Sequence, residues 1–373
     1  MEVVLKKNEE YRIEVEDGQK YKIMVLEGLA EIKGQELLQK KWYVFKNIKT
    51  FIFTYCGCTL KVDGNAKLAY ISPNSNIPQV FSFFNTFVSR DFNFQDNKTF
   101  MVVGKGRSSF CTTIINYFIR LHRKVLFTEL DLKKGNIFPG SLSSILVDTL
   151  IDYAQHIKLN NLLSFYYGSY EINNKDLWDI QIGRLVNAIE KKDIDTANFI
   201  LVHDTDNKAY NEIIEKFKVD KVIVIGDERM YNIIETTVPK LFIPNTGYVY
   251  ENTISKSISR YFNGGDNEYT PYSFHVKYKW SVIRIGEDFL APESALPLGS
   301  TRKLGTLKPN ETEPEDNAIL GISEAKDIDD IVNLPVVGYV VVLNQTNFKI
   351  LCTQSKLPKY SFFIQSDLKC IDL

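Results

Sequence analysis

The sequence predicts a multidomain α/β protein: a central domain on a parallel sheet, flanked by an N-terminal and a C-terminal β domain. Three observations carry this. Residues 1 to about 90 are short β-branched and aromatic runs broken by Gly and Asn, and the same texture returns from about Pro271. From Thr99 to about Gly265, continuous apolar runs alternate with helical segments, the pattern of a parallel sheet covered on both faces. At 373 residues, 44% hydrophobic and 24% charged, the chain has room for two or three domains with sizeable cores. The boundaries expected are 1–95, 96–268 and 269–373.

In the first segment the strand candidates are YRIEVEDG, KYKIMVLEG, LAEIKG, WYVFK, KTFIFTYCG, CTLKVDGN and AKLAYIS, enough for a small antiparallel sandwich or barrel. Asn74 to Lys98, rich in Phe, Asn and Asp, reads as a helix or linker. The central strand candidates are TFMVVG, KVLFTELD, LLSFYYG, NFILVHD, DKVIVIGD and KLFIPN. Helices are expected between them at Ser109 to His122, Lys175 to Lys191, Ala209 to Phe217 and Glu228 to Thr236. The last segment offers SFHVKYKW, SVIRIGED, ALPLG, NAILGISEA, VVGYVVVLNQTNFKILCT and SFFIQSDLKCIDL, with a hairpin turn at Asn344.

Composition excludes several classes. No apolar run approaches the roughly 20 residues of a membrane helix, and the charged N-terminus shows no signal-peptide pattern. A net charge of −1 argues against a broadly basic nucleic-acid sleeve. The five cysteines form no paired C-x-x-C sets and read as reduced thiols, with Cys56 and Cys58 on one face of a strand as small buried side chains. The four histidines stand at no metal-ligand spacing; His203 with Asp204 ends NFILVHD in the presumed ligand crevice.

The richest stretch runs from Phe100 to Asp131: strand, glycine turn, helix, strand, acidic end. This is the layout of a P-loop NTPase-like core. A Walker A loop, G-x-x-x-x-G-K-[ST], wraps phosphates in backbone N–H groups, reaches them with Lys and holds Mg²⁺ with the hydroxyl. Here only Lys105 separates Gly104 from Gly106, so the loop is three residues short, and Arg107 stands in place of Lys. The residues expected at a nucleotide are Gly104, Gly106, Arg107, Ser108 and Ser109, since a helix N-terminus attracts anions even behind a short loop. Ser108 and Ser109 read equally well as helix caps. Asp131, at the end of KVLFTELD, takes the Walker B position, so Ser108 and Asp131 are the Mg²⁺ candidates; Glu129 shares its face. Lys133 and Lys134 follow as a solvated pair or as phosphate-handling cations.

The whole chain resembles a family: the Clp subunit of pre-mRNA cleavage factor IA and its polynucleotide 5′-hydroxyl-kinase relatives. The phrases that carry the likeness are YRIEVEDGQKYKIMVLEGLAEIKGQEL and FIFTYCGCTLKVDGNAKLAYIS, then MVVG, SSFCTTIINYFIRLHRKVLFTELDLKKGNIFPGSLSSI and FKVDKVIVIGDERMYN. SFHVKYKWSVIRIG, ALPLGS and VVGYVVVL follow in the same order. The resemblance implies a β domain, a P-loop domain and a second β domain. It also implies ATP gripped partly by an N-terminal Glu and Lys, which match Glu10 and Lys49.

The departures fall on the chemistry. Phosphoryl transfer is positioning plus charge stabilisation, so a lost Lys or lost loop amides removes its main terms. The family's Arg-rich lid is reduced to Tyr248 to Phe262, with only Lys256 and Arg260, and the loop Asp204 to Tyr210 lacks the family's RNA-clasping Trp. Arg107, Asp131 and Arg260 are the residual catalytic candidates. The expectation is a nuclear, non-catalytic (pseudo-kinase) subunit of the mRNA 3′-end cleavage and polyadenylation complex. It would hold a cleavage factor IA scaffold subunit and other 3′-end processing proteins, touch RNA indirectly or weakly, and bind ATP structurally, with Mg²⁺ where ATP binds. The rival readings are an active RNA 5′-hydroxyl kinase of tRNA or mRNA processing and an adaptor unrelated to 3′-end processing.

Overall fold

A computed structural model describes residues 1–88, 99–133, 135–153, 157–192, 196–244, 254–264, 269–276, 280–286, 307–357 and 362–370. These fall into two compact units: 1–128, 146–158 and 195–251 in the first, 129–145, 159–194 and 252–373 in the second. Among the described residues no helix is long and apolar enough to cross a membrane.

The first unit begins with β1 (Glu2–Leu5), β2 (Glu10–Val15), β3 (Tyr21–Gly28), β4 (Glu31–Ile32), β5 (Gln35–Glu36), β6 (Trp42–Phe45), β7 (Ile48–Phe53), β8 (Cys58–Gly64) and β9 (Leu68–Ser72). They form two antiparallel sheets, ordered β1-β8-β3-β6 and β5-β4-β7-β2-β9. The alternation in β3 explains the arrangement: Tyr21, Ile23 and Val25 are buried, and they share a core with Ile13, Ile32, Ile52 and Leu60. The expected sandwich is therefore present. Cys58 is buried in β8, but Cys56 sits exposed in the turn before it, which corrects the expectation of a buried pair on one strand face.

Helix α1 (Ile77–Val88) leads from the sandwich to β10 (Thr99–Gly104) and α2 (Arg107–Arg120). β14 (Ala197–Leu201), β15 (Lys221–Ile225) and β16 (Lys240–Ile243) run parallel to β10 in the order β16-β15-β10-β14, with β11 (Val125–Glu129) next to β14. Helices α4 (Asn207–Phe217) and α5 (Glu228–Ile233) are the connections. Phe83 and Phe84 of α1 pack on Phe110 and Phe118 of α2, at centroid separations of 5.8 and 5.1 Å.

One polar cluster ties α2 to the sandwich. Asn116, fully buried, donates from Nδ2 to the carbonyls of Lys33 and Ile151, each at 2.9 Å, and accepts from Ile151 N–H at 2.8 Å. The Tyr117 hydroxyl donates to Glu31, and Arg120 bridges Glu31 and Glu36 at 3.2 and 3.1 Å. Burial pushes the Glu31 carboxyl above its usual range, and the bonds from Tyr117 and Arg120 hold it back.

The second unit contains β12 (Ser141–Val147), β13 (Leu163–Tyr166), α3 (Lys175–Lys192), α6 (Ile254–Asn263), β17 (Tyr272–His275), β18 (Ser281–Ile285), β19 (Pro309–Thr312), β20 (Ala318–Ser323), β21 (Val336–Asn344), β22 (Lys349–Cys352) and β23 (Phe362–Lys369). Its strands follow the order β12-β13-β21-β20-β23-β18-β19, with β22 beside β21 and β17 beside β22. The expected hairpin at Asn344 is there: Asn344 pairs with Lys349, and its Oδ1 accepts from Asn347 N–H at 3.2 Å. α3 buries Leu177, Trp178, Gln181, Ile182 and Leu185, one stripe of a 3.6-residue period.

Three expectations need correcting. LLSFYYG is β13, but it runs antiparallel to both neighbours and does not extend the parallel sheet. Its partner β12, SLSSILV, gave no strand signal because it is rich in serine. Those hydroxyls are satisfied internally, Ser141 with Ser143, Ser143 with Ser164, and Ser164 with the Tyr339 hydroxyl at 2.6 Å. β11 stops at Glu129, so Asp131 lies two residues past the strand end. ALPLG and Lys134 lie outside the described residues.

Candidate functional site

The glycine turn belongs to the first unit. Gly104 closes β10 with φ +91, and a Cβ there would stand 2.3 Å from the carbonyl oxygen of Ile225 on β15. Lys105 and Gly106 make up the whole connection, and α2 starts at Arg107. Gly106, at φ 94, is the N-cap, so Ser108 and Ser109 stand inside the first turn and not at the N-cap position. Their carbonyls accept from the Thr112 and Thr113 hydroxyls at 2.9 and 2.8 Å.

Arg107 is the residue whose placement decides most. It is 8% exposed, turned back under the loop, with Nη1 donating to the Gly104 carbonyl at 2.8 Å. The same nitrogen stands 3.7 Å from Asp204 Oδ1, in the loop between β14 and α4. Asp204 is largely exposed, so the ion pair contributes little, on the order of 0.2–1 kcal/mol. The hydrogen bond to Gly104 is what fixes the direction of the guanidinium. The rest of the loop is occupied locally: Asp206 caps α4 through Ala209 N–H at 2.8 Å, and Thr205 N–H donates to the Tyr210 hydroxyl at 3.1 Å.

The sandwich residues are also engaged. Glu10, 1% exposed, accepts from Arg12 Nε at 2.8 Å; burial raises its carboxyl, and hydrogen bonds from Ser75 and Arg12 pull it back. Arg12 Nη2 reaches the Asn74 carbonyl at 2.9 Å and lines a polar cleft of about 600 Å³. Lys49 sits on β7 opposite Glu14, which it pairs at 3.2 Å, whereas Glu10 faces Phe53. Four residues of strand, about 13 Å, therefore separate Glu10 from the residue opposite Lys49. The Glu10–Arg12 brace was readable in principle, because residues two apart on a strand share a face.

The acidic residues belong to the second unit. Glu129 accepts from Asn136 N–H at 3.0 Å, Asn136 Nδ2 at 2.6 Å and Ile137 N–H at 2.8 Å. Burial pushes its pKa up to about 7, the Asp131 charge adds to the rise, and these bonds oppose it. Asp131, 1% exposed, accepts from Lys133 N–H at 3.1 Å, a tight Asx turn. The Lys133 ammonium pairs with Glu171 at the surface, at 2.9 Å. Lys256 and Arg260 lie one turn apart on α6, which Tyr261 fastens: its ring meets Phe138 edge-on at 4.9 Å, and its hydroxyl accepts from Tyr339 N–H at 3.1 Å. The first part of the lid stretch, 248–253, lies outside the described residues.

These residues do not fit a Walker-type triphosphate cradle. A two-residue turn has no run of amides to enclose a phosphate, and the cation that should reach forward donates backward to its own loop. No group of three or more His, Cys, Asp or Glu side chains among the described residues is arranged to hold a metal.

A parallel sheet with a glycine turn opening its first helix, set with an N-terminal β domain and a C-terminal β region, defines a P-loop-type multidomain α/β protein. Family comparison then places it: residues 4–89 match the N-terminal beta-sandwich domain of polyadenylation factor, 103–261 the mRNA cleavage and polyadenylation factor CLP1 P-loop, and 269–369 the pre-mRNA cleavage complex II protein Clp1. The chain belongs to the Clp1 family.

It is similar to the CLP1 homolog of Anopheles gambiae, 28% identical across 99% of this chain and 96% of the relative. The polyribonucleotide 5′-hydroxyl-kinase Clp1 of Gallus gallus is also 28% identical, and that of Homo sapiens 26%, each over 99% of this chain and 96% of the relative. Among solved structures, the wild-type Clp1p–Pcf11p complex matches with a TM-score of 0.81 at 19% identity, over 99% of this chain and 97% of that one. A second, concerned with the Pcf11p–Clp1p interface and ATP loss in a point mutant, matches with a TM-score of 0.82 at 18% identity, covering 99% and 98%. At such identities these structures support the fold alone. The family's P-loop and kinase names imply nucleotide and Mg²⁺ use in general.

Proposed function

We propose that this chain is a non-catalytic Clp1-family subunit of the nuclear mRNA 3′-end cleavage and polyadenylation machinery, organised as domains 1–95, 96–268 and 269–373. Its work is to hold a scaffold partner of the Pcf11 kind and other 3′-end processing proteins, with RNA engaged through them. One observation supports this best: Arg107, in the position of the P-loop lysine, is buried and spends its guanidinium on Gly104 and Asp204. A side chain so held does not gather charge on a transferring phosphoryl group, the main source of rate in this chemistry. Neither ATP nor Mg²⁺ takes a chemical part in this reading. The kinase reading needs Arg107 to leave Gly104 and Asp131 to leave its turn with Lys133.

Affinity purification of the tagged chain from its native cells, followed by mass spectrometry, is expected to return subunits of the 3′-end cleavage machinery. Recovery of tRNA-processing subunits alone, or of no cleavage subunit, would count against the reading.

A further inference from the structure

The two sheets of the N-terminal sandwich end in the outer strands β1, β5, β6 and β9, and three of these are guarded against pairing with another chain. β5 is two residues long. β6 is covered: the Tyr153 ring packs edge-on against Tyr43 and Phe45, and its hydroxyl donates to the Val44 carbonyl at 3.4 Å. β1 carries Glu2 and runs straight into Lys6 and Lys7. Short edges, covers and charges are the usual devices that keep an open row of N–H and C=O groups from recruiting a stray strand.

β9 has none of these. It is the last strand of its sheet, pairs among the described strands with β2 alone, and reads Leu-Ala-Tyr-Ile-Ser over five residues, without charge or proline. Lys67, just before it, is paired with Glu16 at 2.6 Å and Glu14 at 3.6 Å, so its charge is compensated within the same sheet. The register with β2 gives each side chain its side. Leu68, Tyr70 and Ser72 oppose Glu14, Arg12 and Glu10 and share their face, whereas Ala69 and Ile71 oppose Ile13 and Tyr11 on the core face. Large apolar residues are exposed on both: Leu68 at 45%, Tyr70 at 38% and Ile71 at 42%. Such an edge fits an added strand, which supplies main-chain hydrogen bonds and apolar contacts together.

The sequence of β9 selects its own copy as that strand. In an antiparallel pair about a two-fold axis through Tyr70, Tyr70 stands opposite itself, Ala69 opposite Ile71 and Leu68 opposite Ser72. Every pair keeps both members on one face, as the pleat requires, and all five residues are used. No charge meets a like charge, and the centre is an aromatic pair. We propose that β9 joins two copies of this chain edge to edge, fusing their five-stranded sheets into one.

The test uses the full-length protein with Cys56→Ser, which removes the exposed native thiol. Sedimentation velocity from about 1 to 100 µM is expected to show a dimer that grows with concentration. Ile71→Lys, which places a charge on the edge, should weaken it at least tenfold, and Val4→Lys, at an exposed position of β1, less than twofold. Oxidised glutathione, which accepts the two electrons of a thiol pair, is expected to link Tyr70→Cys into a covalent dimer. Directly opposed Cα atoms stand about 4.5–5.5 Å apart, within the disulfide range of about 4.4–6.8 Å. Leu68→Cys, whose two copies would lie four positions apart along the strand, should stay uncrosslinked. A monomer at every concentration, the result if the edge serves another protein's strand, would overturn the proposal. Equal crosslinking of the two cysteine variants, or a dimer indifferent to Ile71→Lys, would do the same.

Discussion

Asn116→Ala is expected to lower the unfolding free energy by about 3–5 kcal/mol, a large share of a domain's stability. Asn116 is fully buried on α2, and its amide satisfies three backbone groups: the carbonyls of Lys33 and Ile151 and the N–H of Ile151. Truncation leaves all three without that partner, and each unsatisfied buried group costs about 1–3 kcal/mol. The neighbouring turn leaves little room for repair, since Lys33 and Gly34 both have positive φ and a Cβ on Gly34 would stand 2.7 Å from the Thr113 carbonyl. Urea unfolding monitored by circular dichroism measures the effect. A loss below about 1 kcal/mol would mean that water or a local shift replaces the amide, and that α2 is not fastened to the sandwich in this way.

Gly104→Ala is expected to cost about 3 kcal/mol or more, combining the strain of a side chain at positive φ with overpacking. The added Cβ would meet the Ile225 carbonyl at 2.3 Å, on the strand that pairs with β10. The result bears on how the glycine turn is read. A glycine kept for phosphate approach alone would tolerate alanine with little change in stability, whereas one required by strand packing would not. Thermal unfolding of the variant decides between these, and an unchanged Tm would contradict the packing role.

Much of the fold was legible because its elements obey simple periods. TFMVVG coincides with β10, and the alternation of KYKIMVLEG is the burial pattern of β3. What escaped was structure whose polarity is compensated elsewhere: in β12, Ser141 bonds Ser143 along the strand and Ser143 bonds Ser164 on β13, and the short β19, PNET, begins with proline and has no apolar face. The site was legible as chemistry but not as direction. Sequence placed Arg107 at the lysine position, yet only the three-dimensional turn shows its guanidinium bonded backward to Gly104. Glu129 and Asp131 were likewise visible as an acidic pair, but not their capture by the following backbone. Tyr117 and Glu31 meet across 86 residues, a contact that neither local pattern announces.

The central claim is that the Clp1 architecture here is kept without the phosphoryl-transfer step. It is tested most directly by incubating the purified full-length chain with labelled γ-phosphate ATP, Mg²⁺ and a 5′-hydroxyl RNA oligonucleotide, beside an active family kinase at equal concentration. The structure predicts no transfer above the no-enzyme control. Transfer at a rate comparable to the active kinase, abolished by Asp131→Asn, would contradict it.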